Sequence, residues 1–297
     1  MICSEPTTST SDPAETGLQP AGDGKMWLDR RYHPELKAAG LTRFEDVMTT
    51  SDGRCLRALA DRENWRLELR DDQRRPRGVY LKKHHVRTWL SRLWAKLGIA
   101  PGETAGRVEA RNVGRMAAHG IDVMHLVAYG EKLHADGRLE SFVLTEELEG
   151  YTQLDHFLSR RFAPLSEQKT RRRDPHLITL IRRIAEIAGR FHAAGYNHRD
   201  FYCGHFFIRE PVPGEFDVKM IDLQRVQQRR FFRRRWIVKD LAQLVWSAHR
   251  DWISGTQKMA FLRHYLGVKK LRPADKRLVR SVLAKQRRME RRLGYGP

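Results

Sequence analysis

Hydrophobic and polar positions keep two different rhythms in this chain, and the change comes after Gly150. In the front half the apolar runs are short and rich in aromatic and β-branched residues. Residues 44–48 (FEDVM), 65–69 (WRLEL) and 78–82 (GVYLK) each read as a strand, the last behind a turn opened by Arg70-Asp71-Asp72-Gln73. Residues 123–129 and 140–148 alternate around Asp136-Gly137, the pattern of a hairpin. Basic residues from Lys82 to Lys96 lead into a Gly- and Pro-bearing stretch, 98–106; a helix is expected next, over 107–119, with Gly120 as its stop.

Beyond Gly150 the rhythm is mainly helical. Leu177, Leu180, Ile181, Ile184, Ile187, Ala188 and Phe191 recur three and four residues apart and predict one amphipathic helix. His205-Phe206-Phe207-Ile208 and residues 217–221 read as a strand pair around the turn Pro211-Val212-Pro213-Gly214, and helices follow from Asp240 to the end. A strand-rich part before a helix-rich part, with no internal repeat, predicts an α+β protein of two lobes with a ligand cleft between them. The expected boundaries are a disordered tail over 1–24, rich in Ser, Thr, Pro, Gly and acid, then lobes over 25–149 and 150–297.

Composition narrows the class. Hydrophobic residues make up 40% of the 297, enough for a sizeable core. No apolar run reaches a membrane span, and the start lacks the basic-then-apolar order of a signal peptide. Cys3, Cys55 and Cys203 lie far apart with no CxxC, which disfavours a disulfide framework or zinc site and suits a reducing cytosol. The net charge is +20; residues 1–24 hold four acids and no Lys or Arg, so the remainder carries +24. Such an excess points to a polyanionic partner: a nucleic acid, an anionic membrane face or a phosphorylated substrate.

The chemistry gathers around Asn197-His198-Arg199-Asp200, which follows the amphipathic helix, and Met220-Ile221-Asp222-Leu223, where the second Asp stands 22 residues beyond the first. An HRD triplet and a later Asp after an apolar pair have the layout of a phosphoryl-transfer site. Asp200 is the candidate to orient a hydroxyl and accept its proton, Arg199 to brace the loop, and Asp222 to hold Mg²⁺ on ATP, since that ion prefers hard carboxylate oxygen. Val79-Tyr80-Leu81-Lys82 resembles a V-A-I-K strand, with Lys82 aimed at nucleotide phosphates and Lys83 facing the opposite way. Glu109, on the helix with Asn112 one turn along, is the candidate partner of Lys82. The backbone of Glu146 to Leu148 is the candidate adenine contact. His205 stands five residues beyond Asp200, where protein kinases keep a metal-binding Asn; imidazole is a poor Mg²⁺ ligand, so a packing role and a site role both stay open. Arg171-Arg172-Arg173 and the run Arg229-Arg230, Arg233-Arg234-Arg235 suit phosphate recognition, a solvated face or an RNA-binding patch. Asp240 either braces the catalytic loop or caps its helix.

With those residues in place, the chain resembles the lipopolysaccharide core kinases, the Kdo/WaaP family of the bilobal protein-kinase-like fold, over about residues 44–248. The resemblance rests on His198-Arg199-Asp200-Phe201-Tyr202-Cys203-Gly204-His205-Phe206 and on Ile221-Asp222-Leu223-Gln224-Arg225, with support from Tyr80-Leu81-Lys82, Glu109-x-x-Asn112 and Thr145-Glu146-Glu147-Leu148. His at 205 and Leu223-Gln224 in place of Phe-Gly agree with this family. The resemblance implies ATP- and Mg²⁺-dependent phosphorylation of a heptose or Kdo hydroxyl on the lipid A-core glycolipid, by a cytoplasmic enzyme at the inner face of the membrane. Its partners would be that glycolipid and an anionic membrane surface, not nucleic acid. A protein or small-molecule kinase, or a pseudokinase binding RNA or anionic lipid, is the alternative.

Overall fold

The short apolar runs of the front half pair into one antiparallel sheet. In the computed structural model, residues 17–86, 104–134, 138–162, 174–229, 231–248 and 251–294 are described. Residues 1–16 and 87–103, the expected turn Asp136-Gly137, Arg171-Arg172-Arg173 and Arg230 lie outside them. The described chain is α+β, strand-rich in its first part and helical in its second. Contacts divide it into two units: residues to Arg115 with Met124–Glu149, and Met116–Val123 with Gly150–Pro297.

In the first unit the strands are β1 (Gln19–Ala21), β2 (Met26–Leu28), β3 (Arg54–Ala58), β4 (Arg62–Arg70), β5 (Pro76–Val86), β6 (Leu126–Leu133) and β7 (Leu139–Glu146), in the sheet order β1-β2-β6-β7-β5-β4-β3. Every pairing is antiparallel, and Lys82 of β5 lies between Asn64 of β4 and Val143 of β7. Helices α1 (His33–Ala38) and α2 (Phe44–Thr49) close one core, in which Leu36, Phe44 and Val47 meet Leu67, Leu69, Leu81 and Phe142. Helix α3 (Ala105–Ala118) follows.

Two expectations are corrected here. Residues 44–48 are helical, not a strand: Phe44, Val47 and Met48 are all buried at helical spacing, and Glu45 and Asp46 favour the first turn of a helix. Asp46 also accepts a hydrogen bond from the Arg43 amide at 3.0 Å. Within 1–24, Gln19–Ala21 pairs with Met26–Leu28 instead of trailing free, because Leu18 and Met26 are buried. Gly78 marks a close approach: a Cβ there would stand 1.7 Å from Glu147 Oε2, which accepts from Arg66 at 2.7 Å, while the Glu147 amide donates to the Gly78 carbonyl at 2.9 Å.

The second unit contains β8 (Thr152–Gln153), α4 (Leu154–Arg161), α5 (Pro175–Ala193), β9 (Tyr196–Asn197), β10 (Phe206–Arg209), β11 (Asp217–Met220), β12 (Gln227–Gln228), α6 (Arg233–Ser247), α7 (Gly255–Tyr265) and α8 (Pro273–Leu293). The amphipathic stripe is α5; Asp174 caps it by accepting from the His176 amide at 2.8 Å, and all seven stripe residues are buried. β10 and β11 pair in the register Phe206↔Met220 to Arg209↔Asp217, with the turn before Gly214 closing them. Among the described residues no helix is long and apolar enough to cross a membrane.

Candidate active site

In the first unit, alternation along β5 sends Lys82 and Lys83 to opposite faces of the sheet. Lys82 Nζ donates to Glu109 Oε1 at 2.7 Å, and Glu109 is fully buried on α3. A buried carboxylate with a lysine that is itself only partly exposed makes a well-placed cation, because neither side chain has much freedom to lose on binding phosphate. Lys83 points the other way, donating to the Thr50 carbonyl at 2.7 Å beneath the Trp65 ring, and burial pushes its ammonium below the ordinary lysine range. At the end of β7, the Glu146 amide is already given to the His125 carbonyl at 2.9 Å, and its carboxylate takes the Tyr32 hydroxyl. The Leu148 amide, by contrast, has no hydrogen-bond partner among the described residues.

In the second unit the loop from His198 to Cys203 hangs on one face of α6. Asp240, Gln243 and Ser247 recur three and four residues apart, with only apolar residues between them, and each accepts loop amides. Asp240 takes His198 N at 2.8 Å and Arg199 N at 3.0 Å; Gln243 takes Phe201 N at 3.3 Å; Ser247 takes Cys203 N at 2.9 Å. Buried amides left unpaired would be costly, so this polar stripe fixes the loop's course. Asp240 therefore braces the loop; it lies in the middle of α6, not at its N-cap, where Phe232 sits. The Lys239 ammonium adds a bond to the Arg199 carbonyl, and the Arg199 guanidinium lies over the Trp236 ring.

This frame presents Asp200 with its carboxylate partly exposed. Arg225 Nη1 reaches it at 2.8 and 3.1 Å, a forked ion pair that sets the carboxylate's direction. His205 Nδ1 stands 2.6 Å from the Asp200 carbonyl; a carbonyl only accepts, so Nδ1 donates, and Nε2 faces Asp222 Oδ2 at 3.7 Å. Asp222 sits at φ 60°, ψ 58°, a left-handed conformation that Asp tolerates better than most residues. The structure thus brings Asp200, His205 and Asp222 together, with His198 and Arg199 serving from behind through the backbone. Among the described residues no three His, Cys, Asp or Glu side chains gather as a metal cage.

His198 is fully buried, its Nε2 donating to the Ile221 carbonyl at 3.1 Å, and burial with the nearby His205 lowers its pKa from 6.5 to about 4. A histidine held neutral in this way stabilises the fold fully above pH 6.5. That contribution declines as pH falls toward about 4, because only the unfolded chain takes up the proton. We expect about 3 kcal/mol to be lost across that window, visible as a falling urea midpoint, and a visibly flatter profile in His198→Gln.

Sequence reasoning did not single out Arg225, Gln243 or Ser247. Arg225 stood in the Ile221–Arg225 motif without a role, and the only trace of the other two was polarity at helical spacing in an apolar run.

The first unit thus holds a lysine paired with a helix glutamate, and the second holds an aspartate on a braced loop with another at a strand end. Residues 48–265 match the model of the "Lipopolysaccharide kinase (Kdo/WaaP) family". The chain is similar to the "Lipopolysaccharide core heptose(I) kinase WaaP" of Pseudomonas aeruginosa, 33% identical with 76% of this chain and 81% of that one covered. It is also similar to the protein of the same description from Escherichia coli strain K12, at 27% identity covering 85% and 93%. A solved structure, "WaaP in complex with acyl carrier protein", matches with a TM-score of 0.64 and 30% identity over 90% of this chain and 97% of that one. The chain belongs to the lipopolysaccharide kinase (Kdo/WaaP) family. It is a kinase, a phosphotransferase acting on a sugar hydroxyl of the lipopolysaccharide core, and its family uses ATP.

Proposed function

We propose that this chain transfers the γ-phosphoryl group of ATP to a heptose hydroxyl of the lipopolysaccharide inner core, working at the inner face of the cytoplasmic membrane. The observation that carries the reading is the Asp200–Arg225–His205–Asp222 group, in a chain whose relatives are described as heptose(I) kinases. Asp200 accepts the proton of the attacking hydroxyl, its carboxylate aimed by Arg225. Lys82, aimed by Glu109, takes the α- and β-phosphates, and the Leu148 amide meets the adenine edge.

The donors fit Mg²⁺. Asp222 offers hard oxygen, and the ion keeps waters and substrate phosphates as its other ligands, so a full protein cage is not required. When bound, the ion neutralises charge on the phosphates. His205, beside Asp222, would suit a hydrogen bond to a metal-bound water better than direct ligation, since imidazole is a poor Mg²⁺ ligand. The excess of positive charge suits an acceptor anchored in an anionic membrane. An acyl carrier protein is carried over as a second partner from the structural relative on likeness alone.

The test is incubation with Mg·ATP and core oligosaccharide whose heptoses carry no phosphate, followed by mass spectrometry. One added phosphate on a heptose is expected. Phosphate on Kdo would replace the acceptor, and phosphate on a peptide substrate with none on the oligosaccharide would overturn the reading.

A further inference from the structure

The segment before α6 presents two features that the phosphotransfer site does not use. Phe231 and Phe232 are adjacent and are the two most exposed large apolar side chains among the described residues, at 79% and 85%. Three arginines, Arg233 to Arg235, follow in the first turn of α6, where the helix dipole disfavours cations and no acid offsets them. Arg234 and Arg235 are exposed, with no acidic partner among the described residues.

The tip is not a loose end. On one side the Arg229 amide donates to the Gly195 carbonyl at 3.1 Å, and its guanidinium packs over the Trp236 ring at 4.3 Å. On the other, the Arg233 guanidinium bonds the His192 carbonyl. Phe232 itself is held at φ 54°, ψ 25°, a conformation unusual for an aromatic residue, with its carbonyl accepting the Arg235 amide at 3.1 Å. The fold therefore presents two aromatic rings into solvent, beside two exposed guanidinium groups that have no acidic partner among the described residues, Arg235 lying 5.7 Å over the Trp236 ring.

We propose that Phe231 and Phe232 form a wedge that enters the headgroup boundary of an anionic bilayer while Arg234 and Arg235 engage lipid phosphates. The inference rests on the glycolipid-kinase reading, because an acceptor that resides in a bilayer requires the enzyme to dwell there. Charge complementarity names the occupant: aromatic rings favour the acyl boundary, and arginines favour the phosphate layer just above it. No helix among the described residues crosses the membrane. Adhesion through this wedge would be reversible, letting the enzyme move from one acceptor to the next.

Sedimentation of the full chain with vesicles of phosphatidylcholine alone, and of phosphatidylcholine mixed with phosphatidylglycerol, tests the wedge. Wild type is expected to bind the mixed vesicles. Phe231→Ala with Phe232→Ala should weaken that binding by roughly 10- to 100-fold at low and high salt alike, whereas the pair changed to Trp should keep it. Arg234→Gln with Arg235→Gln should weaken binding by roughly 10-fold or more, mainly at low salt. Phosphorylation of soluble, delipidated core oligosaccharide should be unchanged in all of these variants. If the double alanine variant binds vesicles as wild type does, the wedge is wrong and charge alone holds the protein. If it keeps vesicles but loses an acyl carrier protein, the tip is a protein interface and the lipid assignment falls. If wild type phosphorylates no oligosaccharide, the kinase reading fails, while the vesicle data still decide the wedge.

Discussion

Asp200→Asn is expected to lower kcat on core oligosaccharide by about 10²- to 10⁴-fold, the range over which a positioned general base contributes, with the KM for ATP little changed. Asn keeps the size and polarity of the side chain but cannot take the hydroxyl proton. The fold should survive, because the loop is held by Asp240, Gln243 and Ser247 through backbone amides and not by the Asp200 carboxylate. The lost ion pair to Arg225 is 48% exposed on the arginine side, so stability should move by no more than about 1 kcal/mol. Steady-state kinetics beside a urea melt separate the two effects. Arg225→Ala sharpens the result: acting through Asp200, it should cost activity in wild type and almost none in an Asp200→Asn background, a non-additivity that a purely structural arginine would not give. Full activity in Asp200→Asn would remove this residue from the chemistry.

What the sequence made legible follows the length of each signal. The α5 stripe runs over many turns, and its period is unmistakable; all its apolar members are buried. β5 and the β10–β11 pair carry aromatic and β-branched runs bounded by turn residues, and they appear where expected. Residues 44–48 were too few to show a period, so their aromatic and β-branched content suggested a strand, while the contacts of Phe44, Val47 and Met48 with the core select a helix. β1 is only three residues long and lies in a stretch whose composition resembles a linker; its order comes from pairing with β2, which no local pattern announces. Lys82, Glu109, Asp200 and Asp222 were legible as candidates because phosphotransfer would restrict residue type at each place. Arg225 was not, since an arginine in a chain this basic carries little information until its distance from Asp200 is known. The two exposed phenylalanines were hidden for the opposite reason: an apolar pair in sequence normally signals core, and only the fold shows that no described residue covers it.

Asp222→Asn should be as damaging as the loss of Asp200, for a different reason. Asn keeps the left-handed conformation at φ 60° that an alanine would strain, so the variant isolates the charge from the backbone. What it removes is the carboxylate charge that the proposal assigns to Mg²⁺, beside His205, whose Nε2 is 3.7 Å away and would be a poor substitute. The consequence is expected in two readouts. Activity should fall by about 10³-fold, as when charge on the transferring group goes unneutralised. The stabilisation that Mg·ATP gives over ATP alone in a thermal melt should also shrink toward nothing, since a ligand stabilises the fold by an amount that rises with the logarithm of its affinity for the native state. Lys82→Met provides the contrast, because it should weaken ATP with and without the metal. A variant of Asp222 that lost activity yet kept the full Mg²⁺ increment would assign this carboxylate to orienting the acceptor and leave the metal to be held elsewhere.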